Sequence, residues 1–229
     1  MTGQWIDLGL TSYRQAHNLQ QHLVQLRRHE LRQDIFLLLE HTPVYTLGRR
    51  GNRENLCVSE EFLHKHSIDL VHIERGGDIT YHGPGQLVIY PIISLKEHRL
   101  AVKEYVWKLE EVMLQTTADF GVSACRDQRN HGIWAGDAKM GSIGIAIRHG
   151  VSFHGLALNV NTDLSPFSWI NPCGLYNTPM TSMAKESGAP LDMAEVKESL
   201  RNNFTEALNM ELCTVSAKTL DTFLRNSKQ

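Results

Sequence analysis

Gly132–Val160, GIWAGDAKMGSIGIAIRHGVSFHGLALNV, decides how this chain folds. It divides into three β-prone runs, Gly132–Ala135, Met140–Ile147 and Val151–Val160, with Gly136-Asp137 and His149-Gly150 providing the turns between them. Two-residue connections between such runs need positive φ angles, which glycine supplies, so the spacing predicts an antiparallel meander. Working upstream, Leu87–Ile93 reads as a strong strand, and the apolar run Ile35–Leu39, bounded by Asp34 and Glu40, as a buried one. Val44–Leu47 and Asp69–Glu74 read as shorter strands. Helical spacing is clearest over Ala101–Phe120, where Val102, Tyr105, Val106, Leu109, Val112 and Met113 recur on one face and Gly121 supplies the stop. Thr11 and Ser12 cap a helix to about Arg28, Ser59 starts a short one to about His66, and Asp192 with Glu195 opens one through about Leu208. The tail Lys218–Arg225 reads as a last short helix. The elements follow no regular β-α-β-α rhythm. That favours an α+β fold, a mixed β-sheet flanked by helices, over a doubly wound sheet. With no internal repeat and no linker, residues 1–229 read as a single catalytic domain.

Composition narrows the function classes. The chain has 229 residues, 41% hydrophobic and 21% charged, enough for a well-buried core. A formal net charge of -2 gives no electrostatic footprint for nucleic acid. No apolar run is long enough to span a bilayer, and the opening Met1–Asp7 has neither the cationic nor the apolar part of a secretory signal. The expectation is a cytoplasmic protein, or a mature form without its targeting segment. The 4 cysteines, Cys57, Cys125, Cys173 and Cys213, form no C-x-x-C, and free thiols are expected, with Cys57, Cys125 and Cys213 packed in the interior. The 12 histidines show neither H-E-x-x-H nor a cysteine at ligand spacing, so no metal site is expected.

Two features carry chemistry. Arg75-Gly76-Gly77-Asp78-Ile79-Thr80-Tyr81-His82-Gly83-Pro84-Gly85-Gln86 combines bare backbone with arginine, threonine, tyrosine and histidine. A turn alone needs fewer glycines and none of those polar groups, so the stretch reads as a ligand-binding loop. It lacks the patterns of the dinucleotide and phosphate loops. Leu47-Gly48-Arg49-Arg50-Gly51 is similar to a nucleotide-gripping loop but reads at least as well as a solvated basic turn, and its two arginines also suit docking of an acidic partner. The second feature is a pair. Cys173 sits in Asn171-Pro172-Cys173-Gly174-Leu175, held on a turn by proline and glycine. Lys139 sits among small residues in Gly136–Gly144. Either residue alone reads as an ordinary surface lysine or a structural thiol. Together, an ammonium favours the thiolate, and the thiolate is the nucleophile of an acyl transfer through a thioester. His154, in Ser152–Asn159, adjoins this region as a supporting candidate.

The segments RGGDITYHGPGQ (Arg75–Gln86), KMGSIG (Lys139–Gly144), FHGLALNVN (Phe153–Asn161) and NPCG (Asn171–Gly174) together resemble the lipoyl(octanoyl) transferase family. The resemblance covers nearly the whole chain, with the segments in the family's order. It implies the fold of the biotin and lipoate protein ligases, acting as a monomer without a cofactor. It implies Cys173 as the acyl-thioester residue and Lys139 as the group that lowers its pKa. The acyl-binding positions it implies are Arg75, Gly76, Gly77, Asp78, Ile79, Thr80, Tyr81 and His82, then Ser142, Ile143 and Gly144, then Gly155, Leu156 and Ala157. The donor it implies is octanoyl-acyl carrier protein, and the acceptors are lipoyl domains of 2-oxoacid dehydrogenase E2 subunits and the glycine cleavage H protein. Leu175–Met183 matches the family pattern less clearly.

On that reading backbone N–H groups near Cys173 or Gly76-Gly77 hold the oxyanion. Lys139 gives a proton to the leaving thiol and takes one from the incoming amine. Gly144, Ala146, Gly155 and Ala157 leave room for the eight-carbon chain. The alternatives are an ATP-dependent lipoate or biotin protein ligase on the same fold, which has no use for Cys173, and a non-catalytic binder of acyl carrier protein or lipoyl domains.

Overall fold

The computed structural model describes residues 1–29, 33–171, 178–218 and 220. In chain order the strands are β1 (Thr2–Thr11), β2 (Asp34–His41), β3 (Val44–Leu47), β4 (Asp69–His72), β5 (Ile79–His82), β6 (Gln86–Ile92), β7 (Gly132–Ala135), β8 (Ala138–Arg148), β9 (Val151–Asn159) and β10 (Glu211–Thr214). The helices are α1 (Tyr13–His29), α2 (Glu60–Lys65), α3 (Val102–Asp119), α4 (Met183–Ser187) and α5 (Met193–Leu208). Seven strands form one sheet in the order β10-β1-β2-β6-β9-β8-β7, and three form a second, β4-β3-β5. Both are mixed. β1 runs parallel to β10 and β2, whereas β2, β6, β9, β8 and β7 alternate in direction. The α+β expectation holds.

Strand periodicity explains the layering. Along β2, Phe36 and Leu38 face one way, and Ile35, Leu37 and Leu39 the other, because successive side chains alternate across a sheet. The first set joins Leu109, Val112 and Met113 of α3 and Leu200 and Phe204 of α5. The second joins Ala16, Leu23 and Val24 of α1. The large sheet is therefore sandwiched between α1 and the α3–α5 pair. Each fully buried leucine or phenylalanine contributes about 1.5–3 kcal/mol.

The β8–β9 hairpin turns at His149 and Gly150, both at positive φ (52° and 81°), as a two-residue connection requires. Its register sets Gly144 opposite Gly155, Ser142 opposite Ala157 and Ile145 opposite His154. Gly155 is dictated by its neighbour: a Cβ there would lie 2.1 Å from the Ile89 carbonyl oxygen of β6.

Four expectations are corrected. β1 and β10 were not anticipated. The glycine-rich stretch Arg75–Gly85 is not all loop, since Ile79–His82 pairs with β3 as β5. Cys57, Cys125 and Cys213 are exposed, not packed in the interior; β10 is an edge strand, and Cys213 on it faces outward. The N–H of Gly76 donates to the Ile145 carbonyl at 2.9 Å, which removes it as an oxyanion donor. Most of the expected helix Lys218–Arg225 lies outside the described residues.

Candidate active site

A cavity opens where the β8–β9 hairpin, the three-stranded sheet and the start of α1 meet. Its walls include Arg75, Gly77, Ile79, Thr80 and His82 from the glycine-rich stretch, Ser142, Ile143 and Gly144 from β8, and His154, Gly155, Leu156 and Ala157 from β9. Lys139, Asn130, Thr178 and Met180 also line it, and Tyr13, Val88 and Tyr90 complete the lining. Three members of the expected binding set lie outside it. Gly76 is held by Ile145. The Asp78 carboxylate accepts from the backbone N–H groups of Asn52 and Ile79 and from the Asn55 side chain. Tyr81 packs with Tyr45 and Phe167 under the small sheet. Ala146, expected to leave room for the chain, instead packs in the α1-side core.

Arg75 is buried and rigid. Its guanidinium donates to the Thr46 carbonyl (2.6 Å), the Thr46 hydroxyl (2.8 Å) and the Gly76 carbonyl (3.0 Å). Gly144 makes this packing possible: a Cβ there would meet Arg75 Cδ at 2.9 Å. A fixed cation therefore lies against the glycine-bare part of β8.

His82 is held by Gln86. The Gln86 amide nitrogen donates to the Tyr81 carbonyl and to Asn159 Oδ1, so its Oε1 is the acceptor facing His82 Nδ1 at 2.7 Å. Nδ1 then carries the proton and Nε2 the lone pair. Burial, with His41 nearby, pushes the His82 pKa well below the ordinary histidine value, so the ring is neutral. Beside it, His41 is bonded to the Thr11 carbonyl (2.9 Å) and the Tyr90 hydroxyl (2.8 Å), and burial lowers its pKa to about 4. Burial raises the pKa values of Tyr13 and Tyr90. The α1 side of the cavity is thus lined by neutral polar rings.

Lys139 is buried, with Nζ 5.5 Å from the centroid of the Trp134 ring. Its backbone is bonded to the segment after residue 177: Lys139 N–H donates to Pro179, and Thr181 N–H donates to the Lys139 carbonyl, both at 2.9 Å. Asn159 also holds this segment, donating to the Thr181 carbonyl at 3.0 Å. A bonded path therefore runs from His82 through Gln86 and Asn159 to the strand of Lys139. Cys173 lies outside the described residues.

Tyr13, Val88, Tyr90, Asn130, Thr178 and Met180 were missed by sequence reasoning. In the sequence Tyr13 falls inside the helix that Thr11 and Ser12 cap, and Val88 and Tyr90 inside the strong strand Leu87–Ile93. Nothing local distinguishes them; the fold brings them to the cavity.

Among the described residues no helix is long and apolar enough to cross a membrane. The fold is that of a lipoate-protein ligase A crystal structure with bound ATP (TM-score 0.79, 18% identity, 99% of this chain and 94% of that one). A biotin protein ligase from Aquifex aeolicus is similar at TM-score 0.52 and 12% identity, over 91% of this chain and 69% of that one. Residues 12–205 match the lipoyl protein ligase A/B catalytic domain family, which defines the class. Within that class the relatives are narrower. An octanoyltransferase of Desulfotalea psychrophila is 57% identical over 85% of this chain and 89% of its own, and one of Desulforamulus reducens 40% identical over 93% and 94%. The chain belongs to the octanoyltransferase family and is an acyltransferase.

Proposed function

We propose that the protein transfers an octanoyl group from octanoyl-acyl carrier protein to a lysine of lipoyl domains, those of 2-oxoacid dehydrogenase E2 subunits and the glycine cleavage H protein, through a thioester on Cys173. The observation that carries this reading is the position of Lys139. It is a buried lysine in the wall of a cavity that combines small and apolar residues of β8 and β9 with Arg75 and neutral polar rings, and its backbone is bonded to the segment that follows Cys173 in the chain. Thr178, five residues beyond Cys173, lines the same cavity.

In this mechanism the Cys173 thiolate attacks the thioester carbonyl of the donor. The C–S bond to the phosphopantetheine arm breaks as the C–S bond to Cys173 forms, and Lys139 supplies the proton that the leaving thiolate takes up. The target lysine amine then attacks the Cys173 thioester, Lys139 takes a proton from that nitrogen, and the Cys173 thiolate is released as the amide forms. Thioester exchange is close to isoenergetic and amide formation is downhill, so no nucleotide is consumed. The octanoyl chain lies along Leu156, Ala157, Val88 and Ile143, with Arg75 and the neutral rings of Tyr13 and His82 around it.

Intact-protein mass after mixing with octanoyl-acyl carrier protein, without ATP, tests this. The expected result is an octanoyl adduct on the wild-type chain that Cys173→Ala lacks. Product formed only when ATP is added, with no adduct on either chain, overturns it in favour of the ligase reading.

A further inference from the structure

Beside the cavity, three side chains from distant parts of the chain converge. His17 comes from α1, Glu74 from the segment between β4 and β5, and His154 from β9. One ligand atom from each lies within 4.8 Å of the other two, and Glu74 Oε2 is 3.0 Å from His17 Nε2 and 3.8 Å from His154 Nε2.

Their hydrogen bonding does not close. The Gln21 amide is oriented by its neighbours: Oε1 accepts from Arg148 Nη1 at 2.5 Å and Nε2 donates to Glu74 Oε1 at 2.5 Å. That same Nε2 lies 3.1 Å from His17 Nε2, which in turn is 3.0 Å from Glu74 Oε2. One ring nitrogen carries either a proton or a lone pair, so it satisfies the amide or the carboxylate, but not both. His154 is more exposed to the problem still. It is 1% exposed, and its Nε2 has no hydrogen-bond partner among the described residues. Glu74 Oε2, at 3.8 Å, is too far for one. His154 also has φ +54°, a conformation non-glycine residues rarely adopt, and its backbone N–H is fixed by Gln20 at 2.7 Å.

We propose that His17, Glu74 and His154 form a binding site for a divalent first-row metal ion of the zinc type. A cation between them accepts both imidazole lone pairs and the Oε2 lone pair, which removes the conflict at His17 and gives His154 Nε2 a partner. Two imidazoles and a carboxylate are a regular three-ligand set with a fourth position open. The surroundings match what such ligands require of their neighbours. Gln21 and Arg148 hold the other carboxylate oxygen, and the Tyr13 hydroxyl lies 3.4 Å from His154 Nδ1. Ligand atoms on a tetrahedral ion with bonds of about 2.0–2.1 Å are separated by roughly 3.3 Å. His17 Nε2 and His154 Nε2 stand 3.0 Å and 3.8 Å from Glu74 Oε2, on either side of that spacing. Bound metal would fasten α1 to β9 behind the Tyr13 and His154 wall of the cavity.

The test is titration of the full-length, chelator-treated protein with Co2+, followed by visible absorption, with Zn2+ as competitor. The expected result is one equivalent bound with a nitrogen and oxygen spectrum free of thiolate charge-transfer bands. His17→Ala and His17→Gln, both at a partly exposed position, weaken binding at least about tenfold. His149→Ala, on the exposed hairpin turn, leaves it unchanged. Zn2+ raises the melting temperature of the wild type but not of the His17 variants. No stoichiometric binding, a spectrum dominated by cysteine thiolate, or undiminished binding by the His17 variants overturns the proposal.

Discussion

Two carboxylates in this molecule sit among histidine and arginine, and their surroundings differ in kind. Asp34, at the start of β2, is closed. Its Oδ1 accepts from Arg27 Nε at 2.9 Å and from the Ser94 backbone at 3.3 Å, its Oδ2 is bonded to His98 at 2.5 Å, and its side chain is 3% exposed. The second Arg27 arm goes on to Glu97. Glu74 is open. One of its oxygens is held by Gln21 and Arg148, and the other faces two imidazole nitrogens whose bonding is incomplete. The same residue types therefore serve two ends. A network with each partner matched locks α1 to β2, whereas one with lone pairs left over is prepared for something that is not part of the chain.

The contrast can be broken most forcibly at its closed end. Asp34→Ala removes the counter-charge of buried Arg27, and breaking a buried pair on one side costs about 3–5 kcal/mol. Urea denaturation is expected to show a loss of that size, and a change below about 1 kcal/mol would mean that the Asp34 network is no tighter than the Glu74 one.

A next largest effect comes from His41, a buried imidazole with both nitrogens matched. Its folded pKa of about 4 lies below the unfolded value of about 6.5, so the unfolded chain takes up the proton first. Stability from this residue is complete above pH 6.5 and falls by about 1.4 kcal/mol per unit down to pH 4, about 3 kcal/mol in all. Urea midpoints at pH 7 and 4.5 for wild type and His41→Gln check this; equal pH dependence in the two would remove His41 from the closed class.

The smallest effect is expected at the open end. Glu74→Gln, without metal, should cost less than about 1 kcal/mol, because a quarter-exposed pair is screened by water. A cost matching that of Asp34→Ala would abolish the distinction.

Sequence and structure diverge where contacts are long-range. The β8–β9 hairpin was legible because its register is written locally, in the His149-Gly150 turn and the flanking alternation. β1 was not. Thr2–Thr11 carries Gly3 and Gly9 and little alternation, and it becomes a strand by pairing in parallel with β2 and β10. β5 was hidden because four residues amid glycines look like loop until β3 lies beside them. The cavity was legible in Arg75, Lys139 and β9, where short motifs concentrate polar groups against glycine. Tyr13 and Tyr90 were not, since a tyrosine on a core-facing helix or strand carries no mark of which cavity it borders. The His17–Glu74–His154 group has no sequence spacing at all; three elements meet only in the folded chain.

The pairing of β1 with β10 has a consequence for how the chain is made. Thr2 lies opposite Glu211, so one edge of β1 waits for a partner synthesised about two hundred residues later. At translation rates of roughly 5–20 residues per second that interval is roughly 10–40 s. During it the outer edge of β1 presents unpaired backbone groups, the feature that recruits strands from other chains. Crowded ribosomes translating the same message are where this edge is most at risk, and β10 is what closes it.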